Sequence, residues 1–235
     1  MIVIQSNYYT FLDFETTGLD YKTNQIIEVG AVFTDENFNV IDTLSKFVAL
    51  EEGVELPKKI TELTGITEDD LKVPYSIQMA MTELAVMIGE STVVIQNAPF
   101  DLSFLSKYGI HPSKFICTRN LSRLLEPDLS PSLGKVADRL DIINSDHHRA
   151  LNDAEVLMQM FKIQKVKADK LNLAYKNIVM DEPDRPLRYT PEQATVRKTV
   201  KLSFDDNELE FIRDLLHSEN AFRKNIEGVL KRLKG

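Results

Sequence analysis

Asp13, Glu15, Asp101, His148 and Asp153 are the residues of this chain whose types and spacing can do chemistry together. Asp13 and Glu15 sit in YYTFLDFETTGLD, Asp101 in NAPFDLSFL, and His148 and Asp153 in HRALNDAEVLMQM. Four carboxylates offer hard oxygen ligands for divalent cations. A histidine titrates near neutrality and can move a proton. Together they suit phosphodiester hydrolysis assisted by two divalent metals.

Each residue has a plainer reading. Asp13 and Glu15 are two apart on a predicted strand, so their side chains share a face while Leu12 and Phe14 point the other way. Paired carboxylates on an apolar strand are costly to desolvate, and a cation between them removes that cost. An edge strand with solvated acids is the alternative; the apolar flanks and the TTG turn argue against it. Asp101, in the first turn of a predicted helix, could simply complement the helix dipole. Asn97 either ties the preceding turn through its side chain or positions substrate, and the structural role is favoured. His148 falls at the start of a long predicted helix, with Asp153 facing inward beside Ala150. His147 is expected to face solvent.

The elements that must position these groups are legible in the chain. Residues 8–14, 26–34 and 39–50 read as strands, the last two joined by a turn at 35–37. Residues 57–65 start with proline and end with glycine, as a short helix does. A helix from Pro74 to Met87, a strand at 91–97, a helix at 99–109 and a short strand at 115–118 follow. Helices to about Leu125, over 132–140 and over 150–170 complete the pattern, the last with a lysine-rich end that suits its negative pole. Three antiparallel strands followed by alternating helices and strands imply an α/β domain with a mixed sheet.

The three motifs, in this order, resemble those of the DEDDh exonucleases, the group that includes proofreading subunits, RNase T and oligoribonuclease. Asp-x-Glu is matched by Asp13 and Glu15, the Asp after an Asn-containing turn by Asp101, and His-x-Ala-x-x-Asp by His148, Ala150 and Asp153. The sister group carries tyrosine where this chain has Arg149. The resemblance covers roughly residues 8–165. It implies an RNase H-like three-layer α/β/α sandwich and two Mg²⁺ or Mn²⁺ ions about 3.5–4 Å apart. It implies metal ligation by Asp13, Glu15, Asp101 and Asp153, with Asp13 bridging both ions and Asp101 supporting the second largely through waters, and His148 as general base. It also implies substrate contacts at Phe14, Thr16, Thr17 and Gly18, at Thr64 in ITELTGIT, and at Asn97 and Phe100. Gln96 departs from the histidine that many relatives have, which bears on substrate fit and not on metal binding. The implied products are 5′-mononucleotides from a 3′ end of DNA, single-stranded or frayed. A 3′–5′ exoribonuclease acting on short RNA is the alternative within enzymes. An inactive nuclease fold used for DNA tethering or assembly is the alternative of another class, and the intact catalytic set argues against it.

Composition sets the bounds. The 235 residues are 43% hydrophobic, enough for a real core. Cys117 is the only cysteine, so no intrachain disulfide framework exists and a reducing cytoplasm is expected. The start lacks a basic segment followed by a long apolar run, so neither a signal peptide nor a membrane span is expected. The net charge is −8. It argues against a long duplex-binding groove, but not against a site that holds a few nucleotides at a strand end.

The expected organisation is a nuclease domain over 1–179, a proline- and charge-rich linker over 180–196, and a strand-helix-helix element over 197–235. In the last, Val200, Leu202 and Phe204 alternate on one face. Leu209, Ile212 and Leu216 then follow helical spacing, as do Phe222, Ile226, Val229, Leu230 and Leu233. The pattern resembles a ribbon-helix-helix unit, too small to bury a core alone. It implies a homodimer through 197–235, or docking on DNA, a polymerase or another protein partner; a helical appendage packed on the nuclease is the plainer alternative.

Overall fold

The computed structural model describes residues 7–183 and 185–198. The strand-helix-helix pattern read over 198–233 therefore lies almost wholly outside the described residues. Five strands form one mixed sheet in the order β3-β2-β1-β4-β5. β1 (Tyr9–Thr16), β2 (Ile26–Thr34) and β3 (Val40–Phe47) are an antiparallel meander, and β4 (Thr92–Ile95) and β5 (Phe115–Cys117) add in parallel beside β1. The sheet is mixed, as the spacing predicts, because loops without helices join the antiparallel strands while helices precede both β4 and β5.

Helices cover both faces. α2 (Ile77–Ile88) and α3 (Ala98–Lys107) pack on the face that carries Leu12 and Phe14 of β1. In α2, Ile77, Ala80, Met81, Leu84 and Ile88 recur at helical spacing and are all buried there. Its first turn is capped by Ser76, whose hydroxyl accepts the Met79 N–H at 3.3 Å. The opposite face carries Tyr9 and Phe11. It is covered by α6 (Ala150–Lys170), with Leu121 of α4 (Thr118–Leu125) and Val136 of α5 (Leu133–Arg139) beside it. α1 (Lys58–Thr64) closes a smaller cluster of Ile27, Leu56, Ile66 and Leu71, and Gly65 ends it in the left-handed conformation.

Residues 180–196 depart from the expected linker. They lie largely between β6 (Ile178–Asp181) and β7 (Thr195–Lys198), which pair in parallel. Leu187, Tyr189 and Ala194 pack against the core cluster of α2 and α3. Asn177 fastens β6 to the main sheet: its side-chain oxygen accepts the Phe115 N–H at 2.7 Å, and its own N–H donates to the Phe115 carbonyl at 2.8 Å. Prolines and charges mark this stretch as irregular; its few apolar residues suffice to anchor it. Among the described residues, no helix is long and apolar enough to cross a membrane.

Candidate active site

The pleat of β1 puts Asp13 and Glu15 on the same face as Tyr9 and Phe11, toward α6. In the first turn of α6, Asp153 comes down onto that face. Carboxylate oxygens of Asp13, Glu15 and Asp153 lie within 4.8 Å of one another. Asp101, in the first turn of α3, is 3% exposed and lies outside that group, near enough to be the strongest charge acting on Asp13.

Burial pushes all four carboxyls up, and repulsion between carboxylates adds to it at Asp13, Glu15 and Asp101. Asp13 stands well above the usual carboxylate range, chiefly through desolvation, then through Asp101, Glu15, Asp153 and Glu28. Desolvation also dominates at Asp101, with Glu15 adding to it. Glu15 is pushed up to about 8 by burial, Asp153 and Glu28, against an opposing pull from Arg149. Asp153 is raised by burial, against His147 and the His148 N–H. A concentration of oxygen donors with so little compensating charge is suited to a hard divalent cation, which would reverse each of these shifts. The residues present fit such an ion.

The loop ahead of α6 is held by several bonds. His148 adopts a left-handed backbone, φ 66°, and its N–H donates to Asp153 Oδ2 at 3.1 Å. Asn144 Nδ2 donates to Asp153 Oδ1 at 3.3 Å, and Asn152 Nδ2 donates to Asn144 Oδ1 at 2.6 Å. Arg149 and the Ala150 N–H both reach Glu28, at 2.9 and 3.1 Å. The His148 imidazole is half-buried, and burial and His147 hold its pKa below the ordinary histidine value. His147 faces solvent, as expected. It is exposed, yet its Nδ1 lies 3.6 Å from Asp153 Oδ2 and its ring centroid 4.0 Å from that of His148.

The family model described as Exonuclease, RNase T, matches residues 10–161, a span that contains all five residues. The chain belongs to the RNase T exonuclease family, in its DEDDh branch. It is 36% identical over 171 residues to the PolC-type DNA polymerase III of Clostridium perfringens, covering 68% of this chain and 12% of that protein. It is 38% identical over 160 residues to the PolC-type enzyme of Halalkalibacterium halodurans, covering 65% of this chain and 11% of that protein. The chain thus spans about a tenth of the length of these relatives. Escherichia coli exonuclease I in complex with a dT13 oligonucleotide shares the fold, with a TM-score of 0.63 at 17% identity over 71% of this chain and 42% of that one. The nuclease domain of 3′hExo, a DEDDh family member bound to rAMP, aligns with a TM-score of 0.59 at 17% identity, over 73% of this chain and 97% of that one. These likenesses agree with the RNase H-like sandwich expected from the motifs.

The residues expected to touch substrate in this exonuclease are placed unequally. The Phe14 ring is buried in the core under β1 and cannot face a ligand. The Thr16 hydroxyl donates to the Gly18 carbonyl at 2.7 Å, and Thr17 Oγ1 accepts the Gln25 N–H at 3.0 Å, so both shape the turn after β1. Thr64 is likewise engaged: its hydroxyl donates to the Ile60 carbonyl at 2.9 Å. The Asn97 side chain makes no cap bond, contrary to the favoured structural role, and with Phe100 it lines a cavity. Gln96 is a tie. It accepts the Thr118 hydroxyl at 2.6 Å and donates to the Pro131 carbonyl at 2.8 Å.

Sequence reasoning missed Glu28 and Asn144. Glu28 stands directly across from Glu15 in the β1–β2 register and is 2% exposed. The signal was present, since Glu28 is a lone acid inside the apolar run IIEVGAV, as conspicuous as Asp13. Asn144 lies in an irregular loop with no periodicity to mark it.

Proposed function

We propose that this chain is a metal-dependent 3′–5′ exonuclease that removes 5′-mononucleotides from the 3′ end of DNA, single-stranded or frayed. The observation that carries the reading is the buried convergence of Asp13, Glu15 and Asp153 beside a histidine whose pKa is held low. The preference for DNA is supported by relatives that are DNA polymerases.

In this reading Asp13, Glu15, Asp101 and Asp153 would hold two Mg²⁺ or Mn²⁺ ions. Such ions, when bound, polarise the phosphate and stabilise charge on the attacking and leaving oxygens. The chain's own residues do the rest. His148 is neutral near pH 7 and accepts a proton from the attacking water as general base. Asn144 and the His148 N–H fix the orientation of Asp153, as partners beyond the ligands do at metal sites. Arg149, paired with Glu28, offsets part of the repulsion on Glu15.

The test uses the full chain with 5′-labelled and 3′-labelled single-stranded DNA, duplex DNA and RNA, in Mg²⁺ and in Mn²⁺. A ladder shortened from the 3′ end of DNA, abolished by EDTA, is expected. Faster digestion of RNA selects the exoribonuclease reading. No cleavage of any strand refutes both. The cytoplasm, a polymerase partner and a homodimer through 197–235 are the setting proposed for this activity.

A further inference from the structure

A cavity of about 670 Å³ opens at the carboxyl ends of β1, β4 and β5, within the size range of small-ligand sites. It adjoins the active site, because Asn97 and Phe100, just before Asp101, form part of its wall. The far wall is the connection between β6 and β7, which lies beyond the residues matched by the family model. Four cations line the cavity, Lys22, Arg119, Arg185 and Arg188, against two carboxylates, Asp20 and Glu182. Glu182 is already engaged by Arg119 at 3.1 Å and by Arg123 at 3.3 Å. Arg185 and Arg188 are exposed, and among the described residues neither is in an ion pair. On a chain of net charge −8 this is a local concentration of positive charge beside the catalytic acids. Partial burial of its side chain and repulsion from Arg119 and Arg188 lower the pKa of Arg185, the sign an approaching anion would relieve. Aromatic faces stand among the cations: Tyr21 and Tyr189 meet edge to face at 5.8 Å, and Phe100 lies nearby.

Cations interleaved with aromatic rings are the means by which proteins hold single strands, one for the phosphates and the other for the bases. We propose that this cavity is a subsite for a nucleotide on the 5′ side of the cleaved linkage, with its phosphate held by Arg185 and Arg188 and its base against the tyrosines. The direction follows from topology. The segment 60–67, which resembles a nucleotide-contacting loop, lies on the β2–β3 flank of β1, and the cavity lies on the β4–β5 flank. A strand whose end lies on the first flank crosses the acids and leaves over the second.

This rests on the reading of the site as one that cleaves strand ends; binding measured in Ca²⁺ reads the subsite whether or not cleavage follows, so the two stand or fall separately. The probes are a fluorescein-labelled oligothymidylate of about 12 nucleotides and a base-labelled thymidine dinucleotide that carries only its linkage phosphate and so lacks the phosphate assigned to the arginines, followed by anisotropy on the full chain. In R185Q/R188Q, the slope of log affinity against log salt for the longer strand should fall by about 0.7, the loss of one phosphate contact. Dinucleotide binding should change far less. K167Q/K170Q, on the exposed end of α6, should leave the slope in place. An unchanged slope in R185Q/R188Q, an equal fall in K167Q/K170Q, or an equal loss for the dinucleotide would overturn the assignment.

Discussion

Arg149 Nη2 lies 2.9 Å from Glu28 Oε1, and the other oxygen of Glu28 accepts the Ala150 N–H at 3.1 Å. One carboxylate on β2 thereby caps the first turn of α6 from a distant part of the chain, where no local side chain does so. Replacing Glu28 by Ala strands a guanidinium and an amide, at a cost of about 1–3 kcal/mol. Urea unfolding should show that loss, and cleavage should slow because His148 and Asp153 flank the cap. E28Q, which keeps a neutral acceptor, should fall between wild type and E28A on both measures. Wild-type stability in E28A would show that the pair is incidental.

Gly30 makes that approach sterically feasible. A Cβ built there would overlap the backbone of Ala150 and Leu151. Since Gly30 pairs with Asp13 across the β1–β2 ladder, displacing α6 at this point moves Asp153 relative to Asp13. G30A should lose about 1–3 kcal/mol of stability and most of its cleavage rate. Isothermal titration should show weakened Mn²⁺ binding, which a purely local packing defect would not produce.

These two positions show what the sequence can and cannot convey. Asp13, Glu15 and Asp153 come together, with His148 beside Asp153, because they sit on strongly patterned elements: a period-two strand, and the start of a long helix. α6 is bounded as its composition predicts, from Ala150 to Lys170. The role of Gly30 is not legible in IIEVGAV, since the reason for glycine there is a helix start that arrives 120 residues later in the chain. The misread linker has the same origin. Leu187 and Tyr189 stand singly among prolines and charges, and only the cleft they fill gives them a structural role.

His148→Ala should retain metal binding while slowing cleavage by about 10²–10⁴-fold, the usual cost of losing a general base. His147→Ala serves as a graded comparison and not as a silent control. Its Nδ1 is 3.6 Å from Asp153 and it lowers the pKa of His148. Its removal should move the acidic limb of the pH–rate profile to higher pH, since the pull of His147 on the His148 base is lost, while costing less rate than His148→Ala. The opposite ranking would assign the base to His147.

Stability of the metal-free protein should fall as pH rises. Asp13, Glu15, Asp101 and Asp153 are all raised in the folded state, so the folded chain binds more protons than the unfolded one between the two sets of pKa values. For Glu15 that window runs from its ordinary 4.5 to about 8. Asp35, Asp70 and Asp169 are lowered instead and act in the opposite sense below the ordinary carboxylate range, and the lowered His148 opposes the trend as a single group up to its ordinary value of 6.5. Thermal melts in EDTA should therefore give a lower Tm at about pH 8 than at about pH 5, and Mg²⁺ should restore it. Asp13→Asn should raise the Tm at the higher pH while abolishing cleavage. A Tm that rises with pH in EDTA would contradict the buried repulsion on which metal binding is argued.

The tail pattern bears on oligomeric state, and the described fold changes where the chain can be cut. A boundary after Asp181 would remove β7, which pairs with β6 residue for residue from Thr195 to Lys198, and with it Leu187, Tyr189 and Ala194 from the core. A cut after Lys198 keeps these elements and removes only the segment whose apolar spacing implies pairing of two copies. The full-length chain should scatter light as a dimer at micromolar concentration, the commonest closed assembly for identical chains. The truncated chain should be a monomer with an unchanged rate on short single strands, because all five catalytic candidates lie within residues 13–153. A full-length monomer, or a dimer that survives the cut, would remove the tail from any role in self-association.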